Sequence, residues 1–248
     1  MDIPNGIRSL LGTNTTDALE FPTETHRAFI DFITQQCSER SITALLKGSL
    51  VKGTAREYSD IDIILMGKNV IDCFDTIVGA FDGILLSEHF TATSTYMVVY
   101  VNGLAVEYDV RRSVTDEDIR KACVLNVGDY LLSDIQRDRF FVDSHLCPSR
   151  NKDYSKMMIA QMCCAKLLCQ KDTLARDIYY DRMMLLGEGQ ELDSILELSA
   201  VHAEPQKQFM NRIRQLVHTS NACSSEIKEY LNDLFSNIQD ERGEFVHV

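Results

Sequence analysis

Two aspartates, Asp60 and Asp62, open the apolar run Ile61-Asp-Ile-Ile-Leu65, and this pairing constrains the chain more than any other stretch. A short run with this pattern reads as a strand, whose successive side chains point to opposite faces. Ile61, Ile63 and Leu65 then enter a core, while Asp60 and Asp62 share the other face. Two carboxylates about 5 Å apart repel by about 3 kcal/mol at an effective dielectric of about 20. A divalent cation removes that penalty. Magnesium suits such hard oxygen donors, because it takes one or two carboxylates and completes its shell with water and substrate phosphates.

Upstream lies Gly48-Ser49, separated from Asp60 by ten residues that end in Ser59. Glycine lets a backbone come close to a ligand, and N–H groups that open a helix form an anion site, so Gly48 and Ser49 are expected at the phosphate end. The stretch Gly48-Ser-Leu-Val-Lys-Gly53-Thr54 nearly fits the P-loop pattern G-x-x-x-x-G-K-[ST]. Thr54 stands where that loop has its phosphate-binding lysine, and Lys52, ahead of the second glycine, projects differently. The P-loop reading is set aside on that ground.

A third carboxylate comes from a predicted hairpin, Thr95–Val101 and Leu104–Val110 around Asn102-Gly103. Glu107 and Asp109 fall on one face of its second strand, and Val106, Tyr108 and Val110 on the other. Spacing leaves both acids open as the third ligand or the base, with Asp109 preferred and Glu107 close behind.

Together Gly48, Ser49, Ser59, Asp60 and Asp62 resemble the signature of the DNA polymerase beta-like nucleotidyltransferase superfamily, especially its small antibiotic-modifying members. That pattern is a Gly-Ser, a spacer and an Asp-x-Asp/Glu on a strand. The resemblance covers residues 45 to 111 well and the remainder poorly. Asp109-Val-Arg111 is similar to the Asp-x-Arg of polymerase-like members, and Val106-Glu-Tyr108 to the Val-Glu-Val of aminoglycoside enzymes. Lys171 to Asp181 has some similarity to a helical segment of streptomycin adenylyltransferases. The resemblance therefore implies Lys166 or Lys171 for the triphosphate and Asp177 or Asp181 for the acceptor. Kanamycin-modifying relatives carry a glutamate base early in the helical domain, whereas Met157–Cys164 here contains no carboxylate. Arg212-Ile-Arg-Gln-Leu-Val-His218 loosely resembles the Arg-His motif of HEPN ribonucleases.

Composition bears on the substrate. The formal net charge of -12 shows no basic stripe for tracking a nucleic-acid backbone, which disfavours a polymerase or tRNA-processing role. Cleft carboxylates attract and orient ammonium groups, so the balance suits a small cationic acceptor. No apolar run reaches the length of a membrane span, and the first residues lack the basic and apolar regions of a signal peptide; a cytoplasmic protein is expected. The eight cysteines form no disulfide framework and, like the six histidines, no zinc pattern, so buried reduced thiols are expected.

The predicted organisation is an N-terminal arm, 1–22, a catalytic domain, 23–148, and a helical substrate-binding domain, 149–248. The fold class is α/β (α+β) with a small mixed sheet, followed by a C-terminal helical bundle. A helix is predicted over Thr23–Glu39, with Phe29, Ile30, Ile33 and Cys37 on one stripe, and others over Asp72–Ala80 and from Thr115. Strands are predicted over Ile42–Leu46 and Asp60–Met66. Cys147-Pro-Ser-Arg-Asn151 marks the boundary, and helices are predicted over 154–170, 173–187, 190–202, 205–219 and 224–238.

The function implied is magnesium-dependent transfer of a nucleoside monophosphate, AMP from ATP, to a hydroxyl of a small acceptor of aminoglycoside type, with release of pyrophosphate. Asp60, Asp62 and Asp109 are the expected metal ligands, with Glu107 as the alternative or the base. Gly48, Ser49, Ser59, Lys166 and Lys171 are the expected nucleotide-binding residues. Two alternatives stand beside it: an antitoxin-type adenylyltransferase acting on a protein, and a catalytically inactive nucleotide-binding or interaction protein.

Overall fold

The computed structural model describes residues 19–67, 69–90, 95–111, 114, 116–128, 152–187, 200–221 and 224–242. The chain divides into two compact units, Met1–Cys147 and Pro148–Val248. The predicted helix over 190–202 and the boundary motif Cys147–Asn151 lie almost wholly outside the described residues, as does most of the N-terminal arm.

The first unit is built on a six-stranded mixed sheet: β1 (Thr43–Lys47), β2 (Ile61–Met66), β3 (Ile84–Phe90), β4 (Thr95–Tyr100), β5 (Ala105–Val110) and β6 (Cys123–Asn126). The spatial order is β3-β4-β5-β2-β1-β6. All neighbours are antiparallel except β2 and β5, which run parallel. The two sequential hairpins, β3-β4 and β4-β5, make a meander, and the β2-β5 pairing joins it to the strands that carry the Gly-Ser turn.

Alternation sorts the sheet as the sequence implies. Ile61, Ile63 and Leu65 of β2 and Val106, Tyr108 and Val110 of β5 enter one large core. Two helices close that core: α1 (Glu24–Glu39), through Phe29, Ile30, Ile33 and Cys37, and α2 (Asn69–Gly79), through Val70, Phe74, Ile77 and Val78. Each fully buried side chain of this size contributes about 1.5–3 kcal/mol of transfer free energy. Phe29 sits among Phe81, Tyr100 and Tyr108 at centroid distances of 5.2, 6.0 and 6.4 Å. The Tyr100 hydroxyl donates to the Val78 carbonyl (2.9 Å), so the Tyr108 hydroxyl is the donor in the 2.6 Å contact between the two phenols. Burial raises the pKa of both phenols and pushes the Cys37 thiol up to about 12.

The opposite face carries a smaller apolar cluster of Leu45, Ile64, Met66 and Ala122. The short helix α3 (Asp116–Arg120) leads into Ala122 and β6. Strands β3 and β6 are not anticipated by the sequence reading. Ile84-Leu-Leu-Ser-Glu-His-Phe90 lacks clean alternation, and β6 is only four residues long, so neither shows a period of two. The β4-β5 connection runs over Val101–Leu104 rather than two residues: Gly103 N–H donates to the Tyr100 carbonyl (2.8 Å) and Tyr100 N–H to that of Leu104 (2.9 Å).

The second unit is helical: α4 (Lys152–Leu168), α5 (Asp172–Leu185), α6 (Gln206–Thr219) and α7 (Ser225–Arg242). Helix α4 packs against each of the other three and is buried on nearly every side, Ser155, Gln161 and Lys166 included, which fits a central position in the unit. Arg176 of α5 is buried: its guanidinium donates to the Val201 carbonyl (2.5 Å) and to Gln206 Oε1 (3.0 Å) and lies 4.4 Å from the Phe209 ring centroid. The six described cysteines, including Cys163 and Cys164 of α4, are free thiols. No described helix is long and apolar enough to cross a membrane.

Candidate active site

The site begins at the end of β1. Lys47 is the last residue of that strand, and Gly48 turns the chain with φ of 78°. That left-handed conformation favours glycine, and the space demands it as well: a Cβ at Gly48 would fall onto Asp62 Oδ2 and within 2.8 Å of its Cγ. The backbone is thus pressed against the second aspartate of the Asp-x-Asp pair. Residues 48–53 form a turn closed by Lys52 N–H to the Gly48 carbonyl (3.3 Å) and Thr54 N–H to that of Ser49 (3.0 Å). These residues form a turn and not the start of a helix, so an anion here would meet individual donors rather than a helix dipole. One such donor is ready, since Ser49 Oγ is buried without a hydrogen-bond partner among the described residues.

Asp60 is delivered by a braced turn. Arg56 N–H donates to Ser59 Oγ (2.8 Å), and Ser59 N–H returns to the Arg56 carbonyl (2.9 Å). His26, buried in the first turn of α1, lies with Nε2 2.9 Å from the Ser59 carbonyl and Nδ1 2.7 Å from Thr23 Oγ1. A carbonyl only accepts, so Nε2 carries the proton and Nδ1 accepts from the threonine hydroxyl. Desolvation lowers the His26 pKa, outweighing the Ser59 hydrogen bond and the nearby charges of Asp60 and Glu57. Thr23 also caps α1 by accepting the His26 N–H. The start of the helix and the segment before Asp60 are therefore tied together by one ring. Sequence reasoning missed His26; its place three residues after a capping threonine, among the stripe residues, is the available signal.

Strand pairing completes the group. Lys47 opposes Asp62 across β1-β2, and Asp62 opposes Glu107 across β2-β5. Carboxylate oxygens of Asp60, Asp62 and Glu107, all half-buried, lie within 4.8 Å of one another. Asp109, the preferred third ligand by sequence, is not in this trio. It opposes Ile64, one repeat further along the sheet, and pairs with Arg111 Nε at 2.5 Å. Arg111 also meets Asp118 at 3.1 Å, and its pKa is raised by both aspartates despite its partial burial. Lys47 Nζ lies 3.9 Å from Glu107 and 4.0 Å from Asp109.

The donor chemistry suits a hard divalent cation. Three carboxylate oxygens converge on one point, a glycine leaves no side chain between them and the turn, and an unsatisfied hydroxyl is buried in that turn. Gly48, Ser49, Ser59, Asp60, Asp62 and Glu107 are thus collected in one unit from residues spread over two strands and two turns. Ser59 stands apart chemically, because its hydroxyl is engaged in closing its own turn.

The remaining predicted residues belong to the helical unit. Lys166 is buried near the end of α4, and Lys171 is the N-cap residue of α5. Asp177 and Asp181 are one turn apart on α5; Asp181 is exposed, and Asp177 Oδ1 is 2.9 Å from His202 Nε2. Arg212, of the Arg-His fragment, is gripped by both oxygens of Glu204 at 2.8 and 2.9 Å. His218 follows six residues later, which at about 100° per residue puts it well round the helix from Arg212. No family model matches the chain, and no curated protein matches it in sequence.

Proposed function

We propose that the protein is a metal-dependent nucleotidyltransferase that moves AMP from ATP to a hydroxyl of a small cationic acceptor of aminoglycoside type, releasing pyrophosphate. The observation that carries this reading is the close approach of the Gly48 backbone to Asp62 beside the converging oxygens of Asp60, Asp62 and Glu107. A phosphate-binding turn and a carboxylate cation site are of use to each other only when they are adjacent. In this reading Asp60, Asp62 and Glu107 hold magnesium, which when bound offsets charge on the attacking and leaving oxygens. Gly48 and Ser49 receive phosphate oxygens. The acceptor oxygen forms a bond to the α-phosphorus, the bond to the bridging oxygen breaks, and the hydroxyl proton passes to Asp109, the acid outside the trio. The family resemblance gives Lys166 or Lys171 to the triphosphate and Asp177 or Asp181 to the acceptor. The acidic balance of the chain, -12, supports a cationic acceptor.

The test is release of pyrophosphate across the four common nucleoside triphosphates and a panel of hydroxyl compounds, with Asp62→Asn as control. A mass gain of about 329 on an aminoglycoside, AMP less water, supports the proposal. The same gain on a protein from a lysate, and on no aminoglycoside, replaces the acceptor with a protein. Nucleotide binding without turnover on any acceptor points instead to a binding protein.

A further inference from the structure

This inference rests on the nucleotidyltransferase reading and concerns Lys47. The sheet brings this lysine to the carboxylates: Lys47, Asp62 and Glu107 are successive cross-strand partners on β1, β2 and β5. Its ammonium passes beyond its own partner strand to lie 3.9 Å from Glu107 Oε1 and 4.0 Å from Asp109 Oδ2, with the side chain 28% exposed. A second cation beside these acids, Arg111, is fixed by Asp109 and Asp118 at shorter range. Separations near 4 Å are ion-pair distances rather than direct hydrogen bonds, so Lys47 is held by the field of several acids and not by one tight partner. A lysine ammonium on a flexible stem can leave such a position, whereas the planar fork of Arg111 is locked to its partners.

We propose that Lys47 is the built-in counter-ion of the carboxylate group and that its ammonium and the metal compete for Glu107. Half-buried carboxylates this close are costly without compensation. Lys47 provides compensation before the metal arrives, and its withdrawal leaves the trio to the divalent ion. The displaced ammonium, one residue from Gly48, is then available to the nucleotide phosphates that arrive with the metal. Metal alone therefore binds weakly, and nucleotide strengthens it.

The experiment titrates manganese, without nucleotide, into the full chain carrying Lys47→Gln, Lys47→Arg or Asp62→Asn, following bound ion by electron paramagnetic resonance. Lys47→Gln is expected to bind manganese about tenfold tighter than wild type, as loss of a competing charge at about 4 Å predicts. It should also melt lower without metal and recover when manganese is added. Lys47→Arg keeps the charge on a fork that can grip a carboxylate and should bind manganese no tighter than wild type. The inference is overturned if Lys47→Gln, folded by circular dichroism, binds no tighter than wild type while Asp62→Asn abolishes binding. Should Lys47→Gln fail to fold, tighter manganese binding by Lys47→Met is the same test. Absence of manganese binding in both wild type and the Lys47 variants overturns the metal-site reading itself.

Discussion

Gly48 and Asp62 occupy adjoining space so closely that the glycine has no room for a β-carbon, because the Asp62 carboxylate already fills the volume it would take. Gly48→Ala should therefore act twice. The left-handed φ of 78° costs about 1–2 kcal/mol for a residue with a Cβ, and the methyl displaces the carboxylate. Chemical denaturation should show a loss of at least that size, and a manganese titration should show weakened binding. Unchanged binding would separate the glycine from the metal site.

On the proposed function, Asp62→Asn removes a metal ligand but no core contact, since Asp62 is on the face opposite Ile61 and Ile63. Pyrophosphate release is expected to fall by several orders of magnitude, in line with the several kcal/mol a metal supplies to a transition state. Melting without metal should be unchanged or raised, because one repelling charge is gone. Turnover above about a tenth of wild type would remove Asp62 from the ligands.

The Tyr100–Tyr108 pair predicts an asymmetry. Tyr108→Phe removes a donor and leaves Tyr100 still bonded to the Val78 carbonyl, a loss of about 1 kcal/mol. Tyr100→Phe strands both the Tyr108 hydroxyl and the Val78 carbonyl in the core, and should cost about 1–3 kcal/mol more. Equilibrium unfolding of the two variants checks the order.

His26 predicts how stability responds to acid. Its pKa is lowered in the folded chain by burial, so the unfolded chain takes up the proton first, near 6.5. The contribution is complete above that value and is lost as pH falls through the folded value. Unfolding free energies between pH 7.5 and about 5 should decline for wild type, and less steeply for His26→Gln. Identical slopes would show that His26 titrates alike in both states.

Local pattern accounts for the pieces of the site and not for their assembly. The stripe Phe29, Ile30, Ile33 and Cys37, the capping Thr23 and the alternation in Ile61–Leu65 are short-range features, and each element forms within a residue or two of its predicted place. Likewise, alternation alone puts Asp60 with Asp62, and Glu107 with Asp109, because neighbours two apart in a strand share a face whatever the strand pairs with. Which acid joins the Asp-x-Asp pair is a matter of register between β2 and β5, parallel strands separated in the chain by a helix and two further strands. A shift of two residues would have set Asp109 beside Asp62 with the same apolar residues still facing the core, so hydrophobic periodicity cannot choose between them. The choice of Glu107, the arrival of Lys47 from a third strand and the bracing of Asp60 by His26 depend on contacts between residues distant in sequence. Those contacts exist only once the sheet has paired and α1 has packed against it.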